Sequence, residues 1–198
     1  EMPGTYAKNK FDLAGFSVGV VEKKLLLTKD KIKKNNIILA IPSSGLHSNG
    51  FSLIRQILKK KFKNKIPINI KNELIKPTKI YVEEINKLNS KKLIHGCANI
   101  TGGGLLNNII RVVPKNLCLN INLSQIKTLN IFKWLKKNNI KDSEMINTFN
   151  CGVGFCIIVD KKNINKVSKF FPKKYKPYEI GFLSSDKGRI KTFGTIKW

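Results

Sequence analysis

Two glycine-punctuated polar runs constrain this chain more than anything else in it. They are Ser43-Ser44-Gly45-Leu46-His47-Ser48-Asn49-Gly50 and, about fifty residues on, Thr101-Gly102-Gly103-Gly104. Each separates an apolar, strand-like segment from an amphipathic one with helical spacing. A turn of that kind leaves the first backbone N–H groups of its helix without intrahelical partners, directed at whatever lies above them. Glycine there permits a close backbone approach or a positive φ that a side chain would block. Phosphate, carboxylate or a polar substrate suits such a junction. The ordinary alternative is a tight turn whose helix is capped by Ser48 or Asn49, worth about 1 kcal/mol and compatible with ligand contact.

The elements around these runs follow from periodicity. Ile37 to Ile41 reads as a strand, and Asn49 to Lys61 as a helix with Phe51, Ile54 and Leu58 on one face and lysines in its last turn. Phe62 to Lys76, rich in lysine and asparagine and broken by Pro67, reads as a surface excursion. Pro77 marks a helix start, with Ile80, Val82, Ile85 and Leu88 as its apolar stripe. Leu93 to Ile100 is the strand before the second run, and Gly103 to Arg111 the helix after it. Leu117 to Leu123 alternates apolar residues with Asn and predicts a strand with one wet face. Helices over Ile131–Lys137, Glu144–Thr148 and Ile164–Phe171, and strands over Gly152–Val159, Tyr178–Leu183 and Ile190–Phe193, complete the reading. Upstream, Phe11 to Glu22 predicts a buried strand, followed by a lysine-rich connector from Lys29 to Asn36. Strands and helices intermix without a strict parallel repeat, so the expected class is α+β, a mixed β-sheet with packed helices.

Charge and cysteines narrow the setting. A formal charge of +26 over 198 residues invites a nucleic-acid reading. Yet only Arg55, Arg111 and Arg189 among 38 basic residues carry the guanidinium fork that base and phosphate recognition favours. The lysines are scattered with asparagine and isoleucine, as on a solvated surface, so nucleic acid is not the expected partner. Cys97, Cys118, Cys151 and Cys156 form no C-x-x-C pair, and no apolar stretch approaches the roughly twenty residues of a membrane span. The expectation is a cytoplasmic protein with reduced cysteines. His95, on an apolar strand without a partner at metal-ligand spacing, reads as structural.

Six motifs in one order carry a family resemblance: Glu1-Met2-Pro3-Gly4, Asp12-Leu13-Ala14-Gly15-Phe16, Ser44-Gly45-Leu46-His47-Ser48-Asn49-Gly50, Pro77-Thr78-Lys79-Ile80-Tyr81, Thr101-Gly102-Gly103-Gly104 and Thr148-Phe149-Asn150-Cys151-Gly152-Val153-Gly154. From Glu1 to about Gly181 the chain resembles the aminoimidazole ribonucleotide synthetases, or phosphoribosylformylglycinamidine cyclo-ligases, of purine biosynthesis. The resemblance implies an ATP-dependent ring closure, in which the amide oxygen of formylglycinamidine ribonucleotide is phosphorylated and a nitrogen of the same molecule displaces phosphate. It places substrate contacts at Ser44, Gly45, Ser48, Asn49, Gly50, Thr101, Gly102, Gly103, Gly104 and Asn150, with His47 and Asn99 as catalytic candidates.

It implies further that residues 1–35 close an N-terminal nucleotide-binding domain and 36–198 form the C-terminal synthetase domain. ATP and Mg2+ would be held mainly by the aspartate- and lysine-bearing motifs upstream of Glu1, with no metal ligands in this half, a small-molecule nucleotide as partner, and a homodimer as the assembly. This half alone is expected to be inactive. Two departures stand out: the family usually has histidine where this chain has Asn99, and often arginine where it has Asn147. Asparagine does not change protonation near neutrality. The alternatives are another ATP-using member of the same superfamily, selenophosphate synthetase-like or thiamine-phosphate kinase-like, or a basic nucleic-acid-binding module.

Overall fold

The computed structural model describes residues 14–62 and 66–198. Among them six strands, β1 (Ile37–Pro42), β2 (Gly96–Asn99), β3 (Cys118–Asn122), β4 (Val153–Val159), β5 (Tyr178–Ser184) and β6 (Ile190–Phe193), form one sheet in the order β2-β4-β1-β5-β3-β6. All neighbouring pairs are antiparallel except β3 with β6, which are parallel. The described helices are α1 (Phe51–Phe62), α2 (Ile68–Leu74), α3 (Val82–Ser90), α4 (Gly104–Val112), α5 (Asn130–Lys136), α6 (Asp142–Thr148) and α7 (Ile164–Ser168). The α+β class with a mixed sheet is therefore what the chain adopts.

The run Ile-Ile-Leu-Ala-Ile of β1 has no polar position because both faces of the sheet are covered. Ile38 and Ala40 join a core completed by Ile54 of α1, Leu105 and Ile109 of α4, Phe132 of α5 and Met145 of α6. Ile37, Leu39 and Ile41 face the other way, toward Leu88 of α3 and Val167 of α7. Arg189 closes the C-terminal end of α4, donating to the carbonyls of Val113 at 3.2 Å and Leu117 at 3.1 Å. The same planar side chain reaches the carbonyls of Ile110 in the last turn of α4 and Pro114 just past it, four carbonyls in all.

Five expectations are corrected. The buried strand over 11–22 is not found: its start lies outside the described residues, and over 14–22 there is no strand, with Phe16 94% and Val20 fully exposed. A strand needs a neighbour to take up its backbone groups, and no described strand pairs with this segment. The excursion at 62–76 contains α2, which turns Ile70 into the core and leaves Ile68 outside. The helix expected from Pro77 begins only at Val82, because the Lys79 N–H and Pro77 carbonyl are tied to the Ser44 hydroxyl. β3 has no wet face; Asn120 is buried and donates to Ser184 Oγ at 2.9 Å. Finally, α1 starts at Phe51 because Gly50, at φ +75°, already supplies the carbonyl that Ile54 N–H uses.

Candidate functional site

Topology brings the two glycine runs together. β1 and β2 lie on either side of β4 and are both antiparallel to it, so they run in the same direction and leave the sheet at the same end. The first run follows β1, the second follows β2, and the Asn150-Cys151-Gly152 turn enters β4 at that same end. Backbone bonds fasten both exits to β4: Ser43 N–H donates to Gly152 O at 2.8 Å, and Ile100 N–H to Gly154 O at 3.0 Å. Between the runs, Asn49 Nδ2 reaches Ile100 O at 3.5 Å, the outer limit of a hydrogen bond. Two helices, α1 and α4, thus begin side by side on one face of the sheet.

The first run is held from beneath by Asn150. Its side chain is fully buried; Nδ2 donates to Gly45 O at 3.0 Å and Leu46 O at 3.2 Å, and Oδ1 accepts from Gly152 N–H at 2.9 Å and Ser43 Oγ at 3.3 Å. Asn150 therefore shapes the loop and has no polar atom left for a ligand. Ser44 Oγ accepts from Lys79 N–H at 3.1 Å and donates to Pro77 O at 2.7 Å, docking the 77–79 segment. Gly45 needs neither a positive φ nor a close approach; a Cβ there would meet only ordinary contacts with Lys76.

His47 adopts φ +57°, is 7% exposed, and its Nε2 accepts from Ser44 N–H at 3.2 Å. The proton of the neutral ring consequently sits on Nδ1. Burial holds this imidazole below its ordinary pKa of 6.5. Since the unfolded chain then binds a proton where the folded one does not, the stabilisation is complete above about pH 6.5 and is lost as pH falls toward the lowered folded value. His47→Asn, a residue that tolerates a positive φ, is expected to flatten stability against pH between about 5 and 7, read from urea midpoints. A slope unchanged from the parent would assign the acid sensitivity elsewhere.

The second run is shaped by Asn108, one turn into α4. Its Nδ2 donates to the carbonyls of Thr101 (3.1 Å), Gly102 (3.3 Å) and Gly104 (2.6 Å), while Oδ1 accepts from Thr101 Oγ1 and Arg111 Nη1. In a trans peptide the N–H points opposite the preceding carbonyl. Drawing those three carbonyls inward therefore turns the N–H groups of Gly102, Gly103 and Leu105 away from Asn108. The glycines divide the work. Gly104, at φ +71°, would place a Cβ 1.9 Å from Ile146 O, so it is the contact that lets α4 lie on α6. Gly103, at φ +94°, makes the turn and has Arg111 Nη2 3.7 Å from its missing Cβ. Gly102 is exposed, with nothing within 4 Å of a Cβ.

The sequence candidates thus sort into two sets. Ser48, Asn49, Gly50, Thr101, Gly102 and Gly103 lie on the exposed or half-buried side of the junction. Gly45, His47, Gly104 and Asn150 are buried in its framework, and Ser44 is half-buried with its hydroxyl engaged. Asn99 is separate: its cross-strand partner is Phe155, and both line a cavity of about 280 Å³ with Tyr81. Sequence reasoning missed Asn108, whose signal was a lone polar residue between Leu105 and Ile109 on the buried face of α4. It also missed Gly154, where a Cβ would strike Tyr81 Oη at 2.0 Å and His47 Cε1 at 2.6 Å.

Other chemistries find little here. Among the described residues no three His, Cys, Asp or Glu side chains group as a metal site. Burial pushes the thiols of Cys97, Cys151 and Cys156 up, Cys151 to about 12, so none is a ready thiolate. His95 Nε2 lies 3.2 Å from Asp160 Oδ2 without the alignment of a hydrogen bond. No described helix is long and apolar enough to cross a membrane. Arg189 is engaged within the fold, which further weakens a nucleic-acid footprint.

Comparison with known proteins assigns the family. The family model described as AIR synthase related protein, C-terminal domain, matches residues 33–191. The chain is 42% identical over 193 residues to a phosphoribosylformylglycinamidine cyclo-ligase of Lactobacillus helveticus, covering 92% of this chain and 55% of that protein. A cyclo-ligase of Prochlorococcus marinus strain MIT 9301 is 45% identical over 170 residues, covering 82% and 49%. The chain spans about half the length of the curated relatives it matches. Among solved structures it is similar to T. maritima PurL complexed with ADP, with TM-score 0.54 and 12% identity over 89% of this chain and 26% of that one. It is also similar to thiamine monophosphate kinase from Aquifex aeolicus, with TM-score 0.56 and 12% identity over 86% and 54%. At such identity the structural likeness is one of fold, whereas the family match covers most of the sequence: the chain belongs to the AIR synthase related proteins, as their C-terminal domain.

Proposed function

We propose that this chain is the C-terminal half of a phosphoribosylformylglycinamidine cyclo-ligase, an enzyme that closes formylglycinamidine ribonucleotide to aminoimidazole ribonucleotide while ATP becomes ADP and phosphate. One observation carries the reading: two strand-to-helix turns meet at Asn49 and Ile100, with Gly102 open above the second. Support comes from the relatives at 42% and 45% identity that bear the cyclo-ligase name.

In this reading the outward N–H groups of Gly102, Gly103 and Leu105, with the Arg111 guanidinium beside them, hold phosphate oxygens. Ser48 and Asn49 orient the polar part of the ligand from the neighbouring turn. Ser44, His47 and Asn150 fix that turn's shape, so His47 acts by positioning. Asn99 contributes hydrogen bonds from its own cavity and relays no proton. ATP fits as a ligand of such a surface, because phosphate needs a backbone free of Cβ at close range and Gly102 provides one; it supplies the phosphoryl group that activates the amide oxygen. Mg2+ does not fit the described residues, which offer no carboxylate cluster. The boundary near residue 35, the homodimer and the cytoplasmic setting belong to the same proposal.

The test is ATP consumption by the full-length protein supplied in turn with formylglycinamidine ribonucleotide, selenide and thiamine phosphate. Consumption is expected only with the first. Consumption driven by selenide or thiamine phosphate would move the protein to a different branch of the superfamily.

A further inference from the structure

Where β1 and β2 begin, at the end of the sheet opposite the glycine turns, a cavity of about 470 Å³ opens between two walls. Lys24, Lys31 and Lys33, from the segment that leads into β1, line one wall; Asn89, Lys92 and His95, from the turn between α3 and β2, line the other. The first wall holds only two short 3-10 turns, Lys23–Leu25 and Lys29–Lys31, yet it is firmly built. Asn89 Nδ2 donates to Leu25 O at 2.8 Å, Lys31 Nζ donates to Leu26 O, and Asn36 Oδ1 accepts from Lys33 N–H at 2.8 Å. Ile32 is buried against Gly96, where a Cβ would come within 2.7 Å of its Cδ1.

The charges that line this cavity do not cancel. Lys24 pairs with Glu22 at 2.7 Å, and Asp30, which also lines the cavity, offsets Lys31. Lys33 and Lys92, one on each wall, have no described carboxylate within ion-pairing distance. Asp160 stands behind His95 and does not line the cavity; its Oδ1 accepts from Asn36 Nδ2 at 2.9 Å. The end of α3 makes no demand on the Lys92 ammonium either, because the N–H groups of Lys91, Lys92 and Leu93 already serve the carbonyls of Lys87, Asn89 and Leu88. Lys92 sits at φ +53°, a position after a helix that glycine or asparagine ordinarily fills. Two uncompensated cations on facing walls match a ligand with two anionic groups. We propose that this cavity binds a small polyanion of the diphosphate or bisphosphate class, and that the bound anion fastens the segment leading into the domain onto the domain itself, since a ligand that needs both walls favours the state in which they meet.

The experiment follows hydrogen exchange of the full-length protein by mass spectrometry while pyrophosphate, fructose 1,6-bisphosphate and inorganic phosphate are titrated in turn. The two ligands with paired phosphoryl groups are expected to slow exchange over residues 23–36 and 89–95 and to bind about ten-fold more tightly than inorganic phosphate; the tighter of the two identifies the source as inorganic or as an ester. Lys33→Met and Lys92→Asn are each expected to weaken that binding about ten-fold, the second with a residue that suits the left-handed backbone and so keeps the fold. Lys92→Arg retains it. Lys137→Met removes an equal charge from the exposed end of α5 and leaves binding unchanged. A loss in Lys137→Met equal to that in Lys92→Asn would reduce the effect to net charge and overturn the proposal. Protection confined to residues 101–105 would overturn it too, while leaving the cyclo-ligase reading intact.

Discussion

Gly104→Ala is expected to lower the free energy of unfolding by about 3–5 kcal/mol. Two costs combine. A left-handed backbone at φ +71° disfavours any residue with a Cβ by about 1–2 kcal/mol. The new atom would also sit 1.9 Å from Ile146 O and 2.8 Å from the carbonyl carbon of Asn147, both backbone atoms that no rotamer change moves. Forcing α4 off α6 adds an overpacking cost of about 1–3 kcal/mol. Urea unfolding monitored by circular dichroism reads the midpoint, and an unchanged slope would confirm that stability alone has moved. A loss below 1 kcal/mol would mean that the α4–α6 contact is looser than the geometry requires.

Asn150→Ala follows closely, with an expected loss of about 3–5 kcal/mol. The substitution strands the Gly45 and Leu46 carbonyls, the Gly152 N–H and the Ser43 hydroxyl in a place water does not reach. Each unpaired buried group costs about 1–3 kcal/mol, and local relaxation recovers part of the sum. The effect should be focused: amide exchange at 43–47 accelerates more than exchange in β1. Uniform acceleration through the sheet would show that Asn150 supports the whole domain rather than one loop.

These two residues also mark what the sequence makes legible. Glycine runs between a strand and a helix advertise a junction, and the helical spacing of apolar residues in α1 and the apolar run of β1 identify their elements directly. Convergence of the runs needed the strand order, because β4, which lies between β1 and β2, follows them by more than fifty residues. Asn150 looked like a ligand contact because a polar residue in a conspicuous motif offers no sign of burial. The same blindness hid Asn108. Helix α2 was missed because lysine and asparagine dominate its composition while only Ile70 enters the core. Segment 14–22 misled for the opposite reason, since its sequence pattern is that of a strand but strand formation depends on a neighbour that no described element provides.

The central claim is that the open backbone of the glycine turn receives a phosphate-bearing ligand, and Gly102→Val tests it most directly. No atom lies within 4 Å of a Cβ at that position and its φ is not left-handed, so the fold should keep its stability within about 0.5 kcal/mol. The added side chain would occupy the space a phosphate needs. Calorimetry of the full-length protein with formylglycinamidine ribonucleotide and with ATP is predicted to show at least one of the two affinities reduced ten-fold or more, about 1.4 kcal/mol. Unaltered affinity for both ligands in a folded Gly102→Val protein would contradict the account.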